Sequence, residues 1–196
     1  MAYEEIIRKQ ISDSISAKQR LLDDKEMIRR ISKAAEICIN AYREGHKVML
    51  AGNGGSAADA QHLAGELVNK FYFDRPGLSC IALSTDTSIL TAIGNDYGFD
   101  RIFARQVEAN GNAGDVFIGI STSGNSANIV EALKTCKEKG VHTIGLTGSR
   151  KCRMDDLCDI IIKVESEETP RIQECQTLIG HIICNLIEKQ LFDAEK

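Results

Sequence analysis

Three groups of residues in this 196-residue sequence have the types and spacing to do chemistry. In GISTSGNSANIVEAL (119–133), Ser121, Thr122, Ser123 and Ser126 crowd four hydroxyls around Gly124. A second small-residue loop, Asn53-Gly54-Gly55-Ser56, also ends an apolar run and leads into a helical pattern. Glycines let a backbone approach a ligand and turn its N–H groups toward it, and a helix's first turn adds orphan donors. Hydroxyls would complete a phosphate cradle without a lysine. The bland alternative is that these are turn and cap residues, with Ser126 or Asn125 capping the following helix. No Gly-Lys-Ser/Thr loop or Gly-x-Gly-x-x-Gly fingerprint occurs, so a nucleotide is not the favoured ligand. The third group is ionisable. His62 and Glu66, four apart, share one helix face, while Gln173 and His181 lie eight apart on the last helical segment. An isolated i,i+4 His–Glu pair is more often a solvated surface contact than a metal site, and a lone helical histidine is usually structural.

Positioning these groups takes a frame. The short runs KVMLAG (47–52), LSCIAL (78–83), DVFIGI (115–120), HTIGLT (142–147) and DIIIKV (159–164) are apolar on both faces and separated by segments able to form helices. That pattern predicts a parallel α/β sheet, here a flavodoxin-like three-layer αβα sandwich with five strands in the order 2-1-3-4-5. In that order the chain reverses between strands 1 and 3, opening a crevice at their carboxyl ends. The two polar loops follow those same two strands, and their coincidence favours an anion site over simple capping. Helices are expected over Ile6–Ala17 and Lys25–Arg43, and from Pro170 to about Phe192, where a proline suits the first turn. A single domain over 1–196 is expected, with N-terminal helices in 1–45 and the αβα core in 46–196.

Composition narrows the classes. The chain is 43% hydrophobic and 27% charged with only two prolines, which suits a globular domain without linkers. Net charge is −4 without a basic run, so no nucleic-acid partner is expected. Seven scattered cysteines, an odd number with no Cys-x-x-Cys, read as buried thiols in a reducing compartment. No signal core or membrane-length apolar run occurs, and a cytoplasmic protein without membrane contact is expected.

The segments AGNGGSAADAQHLAGEL, IGNDYGFDRIFARQVEA, GDVFIGISTSGNSANI and TPRIQE, with GH following, resemble the phosphoheptose isomerase family of the sugar-isomerase (SIS) domain superfamily over nearly the whole chain. The Ser-Thr-Ser-Gly-x-Ser loop marks only the superfamily; the GNGGS loop with its downstream His-x-x-x-Glu, plus RIQE and GH, is more specific. The resemblance implies conversion of D-sedoheptulose 7-phosphate to D-glycero-D-manno-heptose 7-phosphate through an enediolate, for nucleotide-activated heptose in lipopolysaccharide, capsule or glycoprotein. It also implies one Zn²⁺ per subunit on His62, Glu66, Gln173 and His181, with Glu66 as base and His181 as acid. Sugar-phosphate contacts carried over are Asn53, Gly54, Gly55, Glu66, Asn95, Asp96, Ser121, Thr122, Ser123, Ser126 and Gln173. Unaided, Asn95 and Asp96 in GNDYG read as a turn. Lys70, one turn past Glu66, supplies charge near the ligand or snorkels at the surface. Two features depart from some relatives. Gln176 stands where they carry a second histidine, and the charged segment 148–159 replaces a glycine-rich loop.

Relatives are homotetramers with active sites shared between subunits. A homotetramer is expected here, and the helix Lys25–Arg43 is compatible: Ile28, Ile31, Ala34, Ala35, Ile37 and Ile39 spread more widely than one sheet face buries, with a thicker monomer core as the bland alternative. The alternatives to an enzyme are a non-catalytic SIS-domain binding protein, such as a replication-initiator-associating factor, and a phosphosugar sensor. A scaffold has no physical reason to keep His62, Glu66, Gln173 and His181 together, and a sensor needs neither Glu66 nor His181.

Overall fold

The computed structural model describes residues 2–193; positions 1 and 194–196 of the expected domain lie outside the described residues. Helices α1 (Tyr3–Asp23) and α2 (Lys25–Arg43) precede β1 (Val48–Gly52) and α3 (Gly55–Val68). Then come β2 (Cys80–Ala82), α4 (Thr87–Tyr97), a 3₁₀ turn at Phe99–Arg101, α5 (Ala104–Asn110), β3 (Val116–Ile120) and α6 (Ala127–Lys139). Strands β4 (His142–Gly148) and β5 (Ile160–Val164) lead to α7 (Thr169–Phe192). The five strands pair in parallel in the order β2-β1-β3-β4-β5.

Alternation along each strand builds two cores. Val48, Leu50, Val116, Ile118 and Ile120 face α1, α2, α3 and α7. Met49, Ala51 and Phe117 face Ile102, Phe103, Val107 and the apolar side of α6. Residues that alternate faces while all being apolar need helices on both sides, which is the expected three-layer sandwich.

Two expectations change. The β4–β5 connection holds no helix: residues 149–159 form turns that tuck Cys152 and Met154 beneath the sheet's second face. Most of the apolar surface of α2 packs within the chain: Ile31, Ala34, Ala35 and Ile39 are buried with Met27 and Cys38, Ile37 is half-buried, and Ile28 remains exposed. A longer exposed apolar stripe lies on α1, through Ile6, Ile7, Ile11 and Ile15. Between these helices Asp24 caps α2 by accepting from the Glu26 and Met27 N–H groups, which separates α1 and α2 after a single residue.

Candidate active site

Strands β1 and β3 lie side by side, so their loops leave the sheet together. Gly54 takes φ 55°, a turn that glycine makes without penalty, and α3 begins at the next residue. In the other loop Gly124 has φ 64°, and a Cβ there would overlap Cys152 Sγ. The loops are fastened by a reciprocal amide pair. Asn53 Nδ2 donates to Asn128 Oδ1 and Asn128 Nδ2 donates to Asn53 Oδ1, both at 2.9 Å. The Asn53 side chain is thus engaged with Asn128, a residue the sequence reading did not single out.

Capping does not account for the hydroxyls. Ser126 occupies the N-cap position of α6 but its side chain makes no cap hydrogen bond; Gly54 has none to offer α3. Ser126 Oγ lies 2.9 Å from Ser121 Oγ, which in turn lies 3.4 Å from Ser123 Oγ. Ser123 Oγ also accepts from the Asn125 N–H. Both helices therefore turn uncapped amino ends toward the crevice, beside a cluster of three serines. Thr122 adjoins them, its carbonyl accepting from the Gly148 N–H.

Helices α3 and α7 run alongside each other in step. Thr177 donates to Asp59 Oδ1 at 2.9 Å, and one turn further His62 meets His181. The two Nε2 atoms stand 2.7 Å apart, so one ring donates to the other when no ion intervenes. His62 Nε2 lies 3.5 Å from Glu66 Oε1, and the three ligand atoms fall within 4.8 Å of one another. Closeness of the helices makes this possible: a Cβ on Gly180 would meet Leu63 Cδ1 at 2.5 Å. The ring of Phe71 packs against His181, with centroids 5.6 Å apart.

Two imidazoles and a carboxylate suit Zn²⁺. Tetrahedral ligands at about 2.0 Å from the ion stand roughly 3.3 Å apart. The His62–Glu66 separation already matches, and the imidazoles need only a small ring rotation. His62, Glu66 and His181 fit the ion as three ligands. The Gln173 carboxamide lies against Gly55 at the amino end of α3, in space a Cβ on Gly55 would fill. Gln176 is buried, and neither end of its carboxamide has a hydrogen-bond partner among the described residues. Asn95 and Asp96 occupy the last turn of α4, exposed and bonded to each other at 2.8 Å. Lys70 is exposed just past α3. Cys184, three residues beyond His181, is buried, and burial, with the Glu66 charge nearby, pushes its thiol up to about 12. All seven cysteines are free.

A parallel sheet whose switch point holds a serine-lined loop between two uncapped helix ends defines a sugar-isomerase-type, or SIS, domain. The SIS domain family model matches residues 12–148. The chain belongs to the phosphoheptose isomerase family. It is 60% identical over 186 residues to the phosphoheptose isomerase of Aneurinibacillus thermoaerophilus, covering 95% of this chain and 94% of that protein. It is equally identical, at 60%, to phosphoheptose isomerase 2 of Campylobacter jejuni, covering 95% and 92%. The structure of phosphoheptose isomerase GmhA from Neisseria gonorrhoeae superposes with TM-score 0.90 at 42% identity, covering 96% of this chain and all of that one.

Proposed function

We propose that this chain converts D-sedoheptulose 7-phosphate to D-glycero-D-manno-heptose 7-phosphate, supplying nucleotide-activated heptose in the cytoplasm. One observation carries the reading: a histidine–glutamate–histidine cluster on adjoining helices α3 and α7, the first of which opens on the serine-lined crevice. The names of the relatives support it. Ser121, Thr122, Ser123 and Ser126, with the N–H groups after Asn53, Gly54 and Gly55, seat the phosphate.

Moving a carbonyl from C2 to C1 requires removing a proton from C1 and returning one to C2, with an enediolate between. Glu66 takes the proton. Its Oε1 faces His62, which leaves Oε2 free for abstraction. His181 passes protons at the substrate oxygens, and its orientation is set by the Phe71 ring. One Zn²⁺ per subunit would be held by His62, Glu66 and His181, with Gln173 as the fourth ligand on the family pattern, and would supply positive charge that stabilises a developing oxyanion. Gln173 also reaches the substrate from its place beside Gly55. Asn95 and Asp96 are assigned to sugar hydroxyls, in sites shared between the subunits of a homotetramer. Turnover of sedoheptulose 7-phosphate, followed as aldose formation, tests the reading. Glu66→Gln should lower kcat by at least ~10²-fold, as for loss of a general base, and a chelator should reduce activity. Near-normal turnover in that variant removes Glu66 from the role.

A further inference from the structure

Glu188 is a buried carboxylate with no part in the proton transfers. It lies on α7 two turns beyond His181, with its side chain 1% exposed. It accepts from three consecutive backbone N–H groups, those of Phe71 at 2.8 Å, Tyr72 at 3.0 Å and Phe73 at 3.0 Å. The Arg75 guanidinium, equally buried, stands 3.9 Å away. Arg75 donates to the carbonyls of Glu66 at 2.9 Å, Leu67 at 2.7 Å and Asn69 at 3.2 Å. These are carbonyls in and just past the last turn of α3, which the helix itself leaves unsatisfied.

Ending a helix does not require two buried charges; a glycine in left-handed conformation satisfies the same carbonyls. Two ions removed from water carry a desolvation cost that their mutual attraction does not reliably offset. Here the backbone supplies most of the compensation, as three N–H groups around the anion and several carbonyls around the cation, while Arg75 Nε, which faces Glu188, has no hydrogen-bond partner among the described residues. The consequence is geometric. The couple ties the end of α3, which bears Glu66, to the helix that bears His181. It also holds Phe71, whose ring packs on the His181 imidazole. A misplacement of about 1 Å at reacting groups can cost ~10²-fold in rate, so such a tie has consequences at the site.

We infer that Glu188 and Arg75 are a positioning couple for the isomerisation, fixing Glu66 and His181 relative to one another by pinning the 71–73 backbone to α7 and the end of α3 to Arg75. The inference rests on the roles proposed above for Glu66 and His181. Glu188→Gln keeps the side-chain size but presents an amide donor to three N–H groups; Arg75→Lys keeps the charge but loses the fork. The control is Asp115→Asn, which removes another buried carboxylate at the opposite, amino end of the sheet. Kinetics on sedoheptulose 7-phosphate are measured well below every variant's melting midpoint. Both couple variants should lose kcat by at least ~10-fold with KM within about threefold, the split expected when reacting groups shift and binding does not. Asp115→Asn should keep kcat within about twofold. An equal kcat loss in the control, or normal kcat in the folded couple variants, overturns the inference while leaving the reaction intact. Should Glu188→Gln not fold, Arg75→Lys decides alone. No turnover by the unaltered protein overturns the reaction assignment and this inference with it.

Discussion

At the scale of single residues, the hydroxyl cluster and the ionisable cluster predict different kinetic signatures. Ser123 has an exposed side chain and bonds only to its own loop and to Ser121. Its contact to a phosphate remote from the reacting carbons should be equal in ground and transition states. Ser123→Ala should therefore raise KM about tenfold and leave kcat within about twofold, measured by initial rates across sugar-phosphate concentration. A fall in kcat with unchanged KM would show that the loop acts on the chemistry instead. Glu66 sits at the other extreme, where truncation to an amide removes the base and leaves binding. His62 and Glu66 could be paired from spacing, because i and i+4 share a helix face. Asn128, Glu188 and Arg75 could not, because their partners lie 75, 117 and 113 positions away in sequence respectively, and nothing local marks such pairings.

At the scale of elements, the strands were legible because burial on both faces leaves continuous apolar runs, and their order is the common one for five parallel strands between helices, with the two polar loops falling at its switch point. The β4–β5 connection was not: Cys152 and Met154 are buried singly among charged neighbours, too sparse a pattern to distinguish a turn from a helix. The meeting of His62 with His181 depends on how closely α3 and α7 approach, a tertiary quantity that spacing along α7 permits without requiring. Gly180 is the physical trace of that approach. A methyl there meets the Leu63 side chain, whose neighbour in sequence is His62. Gly180→Ala should push the helices apart, destabilising the fold by about 1–3 kcal/mol as overpacking does. At temperatures where the variant remains folded, kcat should fall at least ~10-fold. Calorimetry with kinetics on the same sample checks both, and a stable variant with full kcat would show that the separation of α3 and α7 does not control the site.

At the scale of the molecule, one determinant of stability lies away from the crevice, at the amino end of the sheet. Burial pushes the Asp115 carboxyl up, but the Lys47 ammonium and the N–H groups of Asn112 and Lys47 outweigh it and hold the group below its ordinary 3.8. A depressed folded-state value means that its contribution is present above the unfolded value and is lost as pH falls through the folded one. Melting temperature should thus decline below about pH 4, and less steeply in Asp115→Asn. The proposed homotetramer would assemble through α1. Ile6, Ile7, Ile11 and Ile15 follow helical spacing on the exposed side, with Ile15 still 62% accessible, while Ala17 and Leu21 dock α1 onto the chain's own core. A contiguous apolar stripe of this kind on a charged, soluble-type surface marks a protein contact. In the proposed homotetramer a second copy covers it. Replacing Ile11 and Ile15 together with glutamate should shift the mass measured by light scattering to smaller species while the circular dichroism spectrum stays native. If sites are shared between subunits, turnover falls in parallel with the mass. An unchanged mass would place the subunit contacts elsewhere, and a fully active monomer would end the shared-site reading.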